Sequence, residues 1–352
     1  MVRDVVAWWL TCSVLGWLTW PLAARMFAHS PGRGYAYART MSLVLLAYLY
    51  WLPGVLGLWP NQDIPLWGVA ALVALAGLVA GLCRRAELGQ WLRREWRQLL
   101  VTELLFIVVL VFYAWYKAHD PAIDHTEEPM DFAFLTAMLR SPQLPPSDPW
   151  MAGLKISYYY LGYLIISLAG RLSGTPAGIA YNLGLAQTFA LAVVGGYGVV
   201  HDLLARRRCA KLWGVLGGVS LGLAGNLEGL FELLHSRGLG GVGFYRWLDI
   251  PGLVDAPVTG SWLPQDAWWW WRASRIISDP NILLRSSTVI TEFPAFSFIL
   301  GDMHPHVMAL PALFLALGLA LEVYRSAHRG PSVSWWRQSH LWIVPLFLGA
   351  LG

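Results

Sequence analysis

The sequence predicts an all-α polytopic membrane protein, a helical bundle with an external acidic loop and a re-entrant segment. Three observations point there. Hydrophobic residues make up 57% of the 352 residues and charged residues only 13%, where soluble domains carry about 25% charge. The apolar residues fall in runs close to the length that crosses about 30 Å of hydrocarbon. The 21 tryptophans suit interfacial aromatic belts. The basic balance, net +4 with a pI near 9.0, comes mainly from arginines clustered in short loops. It reads as a topology signal and gives no reason to expect a nucleic-acid partner. Cys12, Cys83 and Cys209 are scattered and show neither metal-ligand spacing nor a disulfide framework.

The first apolar run covers residues 5–27. Its centre is long and no clean small-residue cleavage site follows, so it reads as a retained helix rather than a signal peptide. Further spans are expected at 40–59, 65–83, 99–117, 178–204, 211–234 and 306–324. The apolar segment 156–172 is shorter. The closing string LWIVPLFLGALG is about twelve residues, too short to cross. The chain thus ends inside what reads as another span, as a fragment or the first part of a longer protein would.

Arginine placement orients these spans. Arg84, Arg85, Arg93, Arg94 and Arg97 mark the loop after the third span as cytoplasmic. Counting back, Pro60–Asp63 lies outside, the loop with Arg25, Arg33 and Arg39 inside, and the N-terminus outside. Counting forward, the fourth span delivers the acidic stretch to the external face of the plasma membrane. Arg206, Arg207, Arg208 and Lys211 then fall inside only if 156–172 does not cross. A re-entrant or interfacial 156–172 also places 235–291 outside and Arg325 and Arg329 inside. Irregular backbone at membrane depth needs protein or water around it, so such a segment implies a cavity. The expected organisation is N-terminal transmembrane helices over 1–118 and a second membrane region over 119–352, with external loops 119–155 and 235–291.

The acidic loop is the first candidate for chemistry, because charge is sparse elsewhere. Thr126-Glu127-Glu128-Pro129-Met130-Asp131 reads as the start of a helix with Thr126 as N-cap, running to Arg140 and ended by Ser141-Pro142. Glu127 and Asp131 stand four apart and share a face. Two such carboxylates can divide into a base and a charge or metal holder; equally, acidic residues in a first turn simply favour the helix dipole. Pro145, Pro146 and Pro149 stiffen the stretch around Asp148. Tyr158-Tyr159-Tyr160 point in all directions around a helix, so some of them face a polar or interfacial environment. In the second loop, Trp268–Trp271 followed by Arg272 and Arg275 form an interfacial belt with snorkelling arginines, or an aromatic wall for a sugar or lipid with arginines on a phosphate. An extended Asp302-Met303-His304-Pro305-His306 would put Asp302, His304 and His306 on one side. Those three would hold a divalent cation, contact phosphate, or cap the following helix. Glu128, Asp148, Tyr159, Tyr160, Arg272, Arg275, Asp302, His304 and His306 are the candidate substrate-binding residues, and Asp131 and Glu127 the catalytic ones.

The strings EEPMDFAFLTAMLRS, PPSDPWMAG, ISYYYLGY and EFPAFSFILGDMHPHVMALP occur in one order between Lys117 and Tyr324. Together they resemble the uncharacterised bacterial and archaeal membrane family known for its YYY motif, which is similar in layout to GT-C glycosyltransferases. This chain has Glu128 where the family's E-K-P-M-D form has lysine. The resemblance implies a GT-C-like bundle, a polyprenyl-phosphate sugar as donor, and an acidic residue of the first large external loop, here Asp131 or Glu127, in catalysis. It implies no cofactor beyond a divalent cation, with the lipid bilayer and a lipid-linked sugar as partners.

The expected function is therefore transfer of a sugar from a lipid-linked donor at the external membrane face, with one carboxylate as general base. Arg272, Arg275, His304 or a bound ion would meet the leaving phosphate. The alternatives are a transporter or channel whose acidic loop is a vestibule, and a non-catalytic scaffold with the tryptophan-rich loop as partner surface. Cysteines introduced at Ser147 and Ser261 should both react with an impermeant thiol reagent from outside. Labelling of one without the other would refute a shared side for the two loops.

Overall fold

Long apolar runs become long helices, and proline-, glycine- or charge-bearing breaks end them. The computed structural model describes residues 2–265, 268–280, 282 and 285–327; the partial span expected at 341–352 lies outside the described residues. The helices are α1 (Val2–Met26), α2 (Ala38–Val55), α3 (Asp63–Cys83), α4 (Arg85–Arg94), α5 (Trp96–His119), α6 (Glu128–Arg140), α7 (Leu161–Ser173), α8 (Ala177–Leu203), α9 (Ala210–Leu223), α10 (Glu228–Arg237), α11 (Val242–Leu248), α12 (Pro294–Leu300) and α13 (Pro305–Ala327). One antiparallel hairpin joins β1 (Ile277–Pro280) to β2 (Ser286–Val289), with Ile277 opposite Val289. Five of the described helices, α1, α3, α5, α8 and α13, are long and apolar enough to cross a membrane. The protein is a mostly helical, multi-pass membrane protein.

Three expected elements differ. The run 40–59 yields α2, which stops at Val55 where Pro53, Gly54 and Gly57 (φ +74°) follow one another. The run 211–234 is not continuous: Ala224-Gly225-Asn226 separates α9 from α10, and Asn226 turns its side-chain carbonyl to the Glu228 amide at 3.2 Å. Residues 158–160 precede α7 rather than lying in a helix, with Tyr160 at its N-cap. At 13 residues α7 is about 20 Å long, short of a bilayer crossing.

The chain forms two compact units. The first holds Met1–Leu221 and the stretch from Gly301 onward, the second Gly222–Leu300. In the first unit α8 is buried along nearly its whole length and packs on α5 and α13. The outward faces of α3 and α5 instead present Leu72, Leu75, Leu82, Leu100, Leu104 and Val108. Such faces are costly in water and suit lipid. Several polar groups inside this bundle are paired: Arg39 of α2 reaches Glu103 of α5 at 2.5 Å and Ser13 of α1 at 3.1 Å, and Gln187 of α8 accepts from the Trp8 indole at 2.9 Å. The loop between α2 and α3 is pinned to the end of α6 by Asn61, whose amide donates to the carbonyls of Met138 and Ser141, both at 2.8 Å.

The second unit contains α10, α11, the hairpin and α12. The stretch 235–291, expected as one long external loop, falls within it. Its tryptophans pack together, Trp270 and Trp271 lying 5.3 and 5.7 Å from the Phe296 ring.

Without an aqueous hydrophobic drive between helices in lipid, close packing depends on small residues. A β-carbon on Gly77 of α3 would lie 1.9 Å from the Leu18 carbonyl oxygen of α1, whereas one on Gly68 would meet nothing within 4 Å. Gly77→Ala should therefore lower the detergent melting stability by roughly 1–3 kcal/mol, an overpacking cost, and Gly68→Ala should not. Equal melting of the two variants would contradict this α1–α3 approach.

Candidate functional site

The site is built where α5 ends and α6, α8 and α13 begin, within the first unit. α6 starts inside the acidic string, at Glu128. Its N-cap is Glu127 and not Thr126, which adopts φ +38°. That conformation is disfavoured for a β-branched residue and is found where surrounding contacts impose it. The Thr126 hydroxyl, freed from capping, sits 2.7 Å from both carboxylate oxygens of Asp302 and donates to that group.

Asp131 is fully buried. Its Oδ1 accepts from the Tyr163 hydroxyl at 2.6 Å, and its Oδ2 accepts from the Met303 backbone amide at 2.7 Å. One carboxylate thus fastens α6 to α7 and to the turn before α13. Glu128, also fully buried, pairs with Lys117 of α5 at 2.9 Å. Gly301 lies directly over this pair. Its φ is +83°, and a β-carbon there would come within 3.1 Å of both Glu128 Oε1 and Lys117 Nζ. Only glycine meets both demands without strain.

The accessible part of the cluster is Glu127, with the mostly buried His304 beside it. His304 Nε2 lies 3.1 Å from Glu127 Oε2 and 3.7 Å from Asp302 Oδ2. The Glu127 side chain is 57% exposed and that of Asp302 only 2%. The His306 ring is 5.4 Å from that of His304. The period-two arrangement expected over 302–306 does not form, because Pro305 opens α13 and places His306 on a helix. Pro suits this first helical position, since its missing N–H would have no partner there.

Four carboxyl groups, Glu127, Glu128, Asp131 and Asp302, therefore gather at this end, Glu128 on Lys117 and both Glu127 and Asp302 on His304. Burial pushes Asp131 up to about 6, against the pull of the Tyr163 hydroxyl, His304 and the Met303 amide. Burial also raises Asp302, opposed by Thr126 and His304 and reinforced by Glu128 and Glu127. An overlapping group, Asp124 and His125 of the loop with Glu128 of α6, brings one ligand atom from each within 4.8 Å of the others. It offers one imidazole and two carboxylates, a donor set that suits a divalent cation.

The other candidates lie elsewhere. Asp148 closes its own turn by accepting from the Trp150 and Met151 amides at 2.8 and 2.9 Å. Tyr159 is 77% exposed, and the Tyr160 hydroxyl accepts from the Trp51 indole at 2.7 Å. Arg272 and Arg275 belong to the second unit, where Arg272 pairs with Glu232 at 3.0 Å and Arg275 covers the Trp271 ring at 4.2 Å. Lys117, Tyr163 and Tyr181 were not among the sequence candidates. Lys117 alone left a trace, as a single cation in the last turn of an apolar run. Tyr181, whose hydroxyl is 3.4 Å from the Gly301 carbonyl oxygen, reads like any core aromatic.

The folded protein holds the Asp131 proton more tightly than the unfolded chain does. The stabilisation from that group is complete below the ordinary value of 3.8 and is lost as pH rises through about 6. Wild-type stability should therefore fall relative to Asp131→Asn between about pH 4 and pH 6, by on the order of 3 kcal/mol. A melting difference that does not change with pH would show that Asp131 does not titrate there.

No curated protein and no solved structure matches the chain. A family model matches residues 45–352. The helices that carry the acidic cluster and nearly all of the spans lie within that match, and the chain belongs to the family described as uncharacterized membrane protein, DUF2298.

Proposed function

We propose that this protein transfers a sugar from a polyprenyl-phosphate donor to an acceptor hydroxyl at the external face of the membrane, as GT-C glycosyltransferases do. The observation that carries this reading is the Glu127–His304 pair, 3.1 Å apart, in which Glu127 is exposed and His304 mostly buried, beside buried Asp131 and Asp302. Glu127 is the base. It has an accessible carboxylate, while both oxygens of Asp131 already accept hydrogen bonds. In the reaction the acceptor oxygen bonds to the anomeric carbon and its proton passes to Glu127. The bond from that carbon to the phosphate oxygen breaks, and the lipid phosphate leaves with the electron pair. His304, held by Glu127 and Asp302, faces the developing phosphate charge. A divalent cation on Asp124, His125 and Glu128 would add to that charge balance. Asp131 is a positioning residue that sets the 301–304 turn against α6.

Proteoliposomes supplied with labelled polyprenyl-phosphate sugars test this. Glu127→Gln should reduce transfer by about 10²–10⁴-fold, the range for loss of a general base, with insertion and melting unchanged. Full turnover in Glu127→Gln, or no transfer from any lipid-linked sugar by the wild type, would overturn the assignment.

A further inference from the structure

α5, α8 and α13 have a second shared end. It is formed by the start of α5 and the ends of α8 and α13, about 35–40 Å from the other end along helices of 23–27 residues. A cavity of about 770 Å³ opens there, within the first unit. Its wall carries Arg33, Arg94, Arg206, Arg207, Arg208 and Lys211, with Glu95 as the single acidic residue on the wall. Arg33 is paired with Glu87 at 3.0 Å and Arg94 with Glu95 at 3.1 Å. Arg206, Arg207, Arg208 and Lys211 have no acidic partner among the described residues.

The lining residues His29, Ser30 and His201 are held from behind by buried carboxylates that are not themselves on the wall. Glu322 of α13 accepts from the His29 amide at 2.7 Å, the His29 ring at 2.8 Å and the Ser30 hydroxyl at 2.7 Å. Asp202 of α8 accepts from the Gly32 amide and meets the His201 ring, both at 3.0 Å, and Arg325 bonds to its backbone carbonyl. These two buried carboxylates are occupied by donors of their own and pair with none of the four cations.

We infer that this cavity binds a phosphate-bearing anion. Positive-inside topology accounts for arginines in a loop, but it requires no cavity lined by them. Four like charges around one space repel each other unless an anion joins them. Guanidinium groups match phosphate oxygens with paired hydrogen bonds. The volume falls within the range of small-molecule sites, about 300–1,000 Å³. The phosphate can come from a soluble anion or from a phospholipid headgroup, since the cavity lies at the ends of membrane-crossing helices.

The test uses the full chain in detergent and in nanodiscs. Inorganic pyrophosphate binding is measured by calorimetry, and retention of phosphatidylglycerol against phosphatidylcholine by native mass spectrometry. Binding of pyrophosphate indicates the soluble source, and selective retention of phosphatidylglycerol the lipid source; either supports the site. The combined Arg206→Gln, Arg207→Gln, Arg208→Gln and Lys211→Gln variant should bind the successful probe about tenfold more weakly or worse, a loss of at least one charge-assisted contact. Arg84→Gln with Arg85→Gln, outside the cavity, should leave it unchanged. Should the combined variant fail to insert, the single reversals Arg207→Glu and Lys211→Glu carry the same expectation. Failure of the wild type to bind either probe, or equal losses in the control, would overturn the inference.

Discussion

The Asp131 carboxylate is the contact on which the acidic end of the first unit depends. It is fully buried and accepts from two donors that belong to different pieces of chain, the Tyr163 hydroxyl of α7 and the Met303 amide before α13. A buried carboxylate is tolerable only when its lone pairs find donors. Here that requirement selects the conformation of the 301–304 turn. With the turn set, Gly301 passes over the Lys117–Glu128 pair, Asp302 meets Thr126, and His304 comes out beside Glu127. The accessible chemistry is thus supported by a layer of inaccessible charge.

The same helices carry opposite electrostatics at their two ends. Carboxyl groups outnumber cations where α5 finishes and α8 and α13 begin. Arginines dominate where α5 begins and the other two finish. Between the ends, polar groups occur as closed pairs, such as Arg39 with Glu103 and Gln187 with Trp8. In a low-dielectric interior an unpaired charge is expensive, so Arg39 and Glu103 are matched to each other. Only at the two ends do charges of one sign accumulate, and these are the places where water or a headgroup can share in their solvation.

The short α7 shows how packing overrides length. Its 13 residues do not suffice to cross a bilayer, yet Tyr163, Leu164 and Ile166–Gly170 are buried. Gly184 of α8 gives it room, since a β-carbon there would lie 2.6 Å from Ile166 Cγ2. Its Tyr163 then reaches Asp131, and its Arg171 meets Asp63 and Asn61, both at 2.8 Å. A segment that reads only as an ambiguous apolar stretch becomes the brace between the acidic loop and the α2–α3 connection.

By itself the sequence determined the membrane class, the five long spans and the helix from 128 to 140, because run length and apolar content act locally and need no partner. It also singled out Glu127, Asp131, Asp302 and His304, since charge and histidine stand out in so apolar a chain. Which of these carboxylates would be buried was decided only in three dimensions. Asp131 and Met303 are 172 residues apart, and nothing local to either predicts their hydrogen bond. The same holds for Lys117 beneath Gly301 and for Thr126, whose local pattern reads as a helix cap but whose hydroxyl serves Asp302. The reason is physical: periodicity records which side chains avoid water, while the pairing of buried charges depends on which helix ends packing brings together.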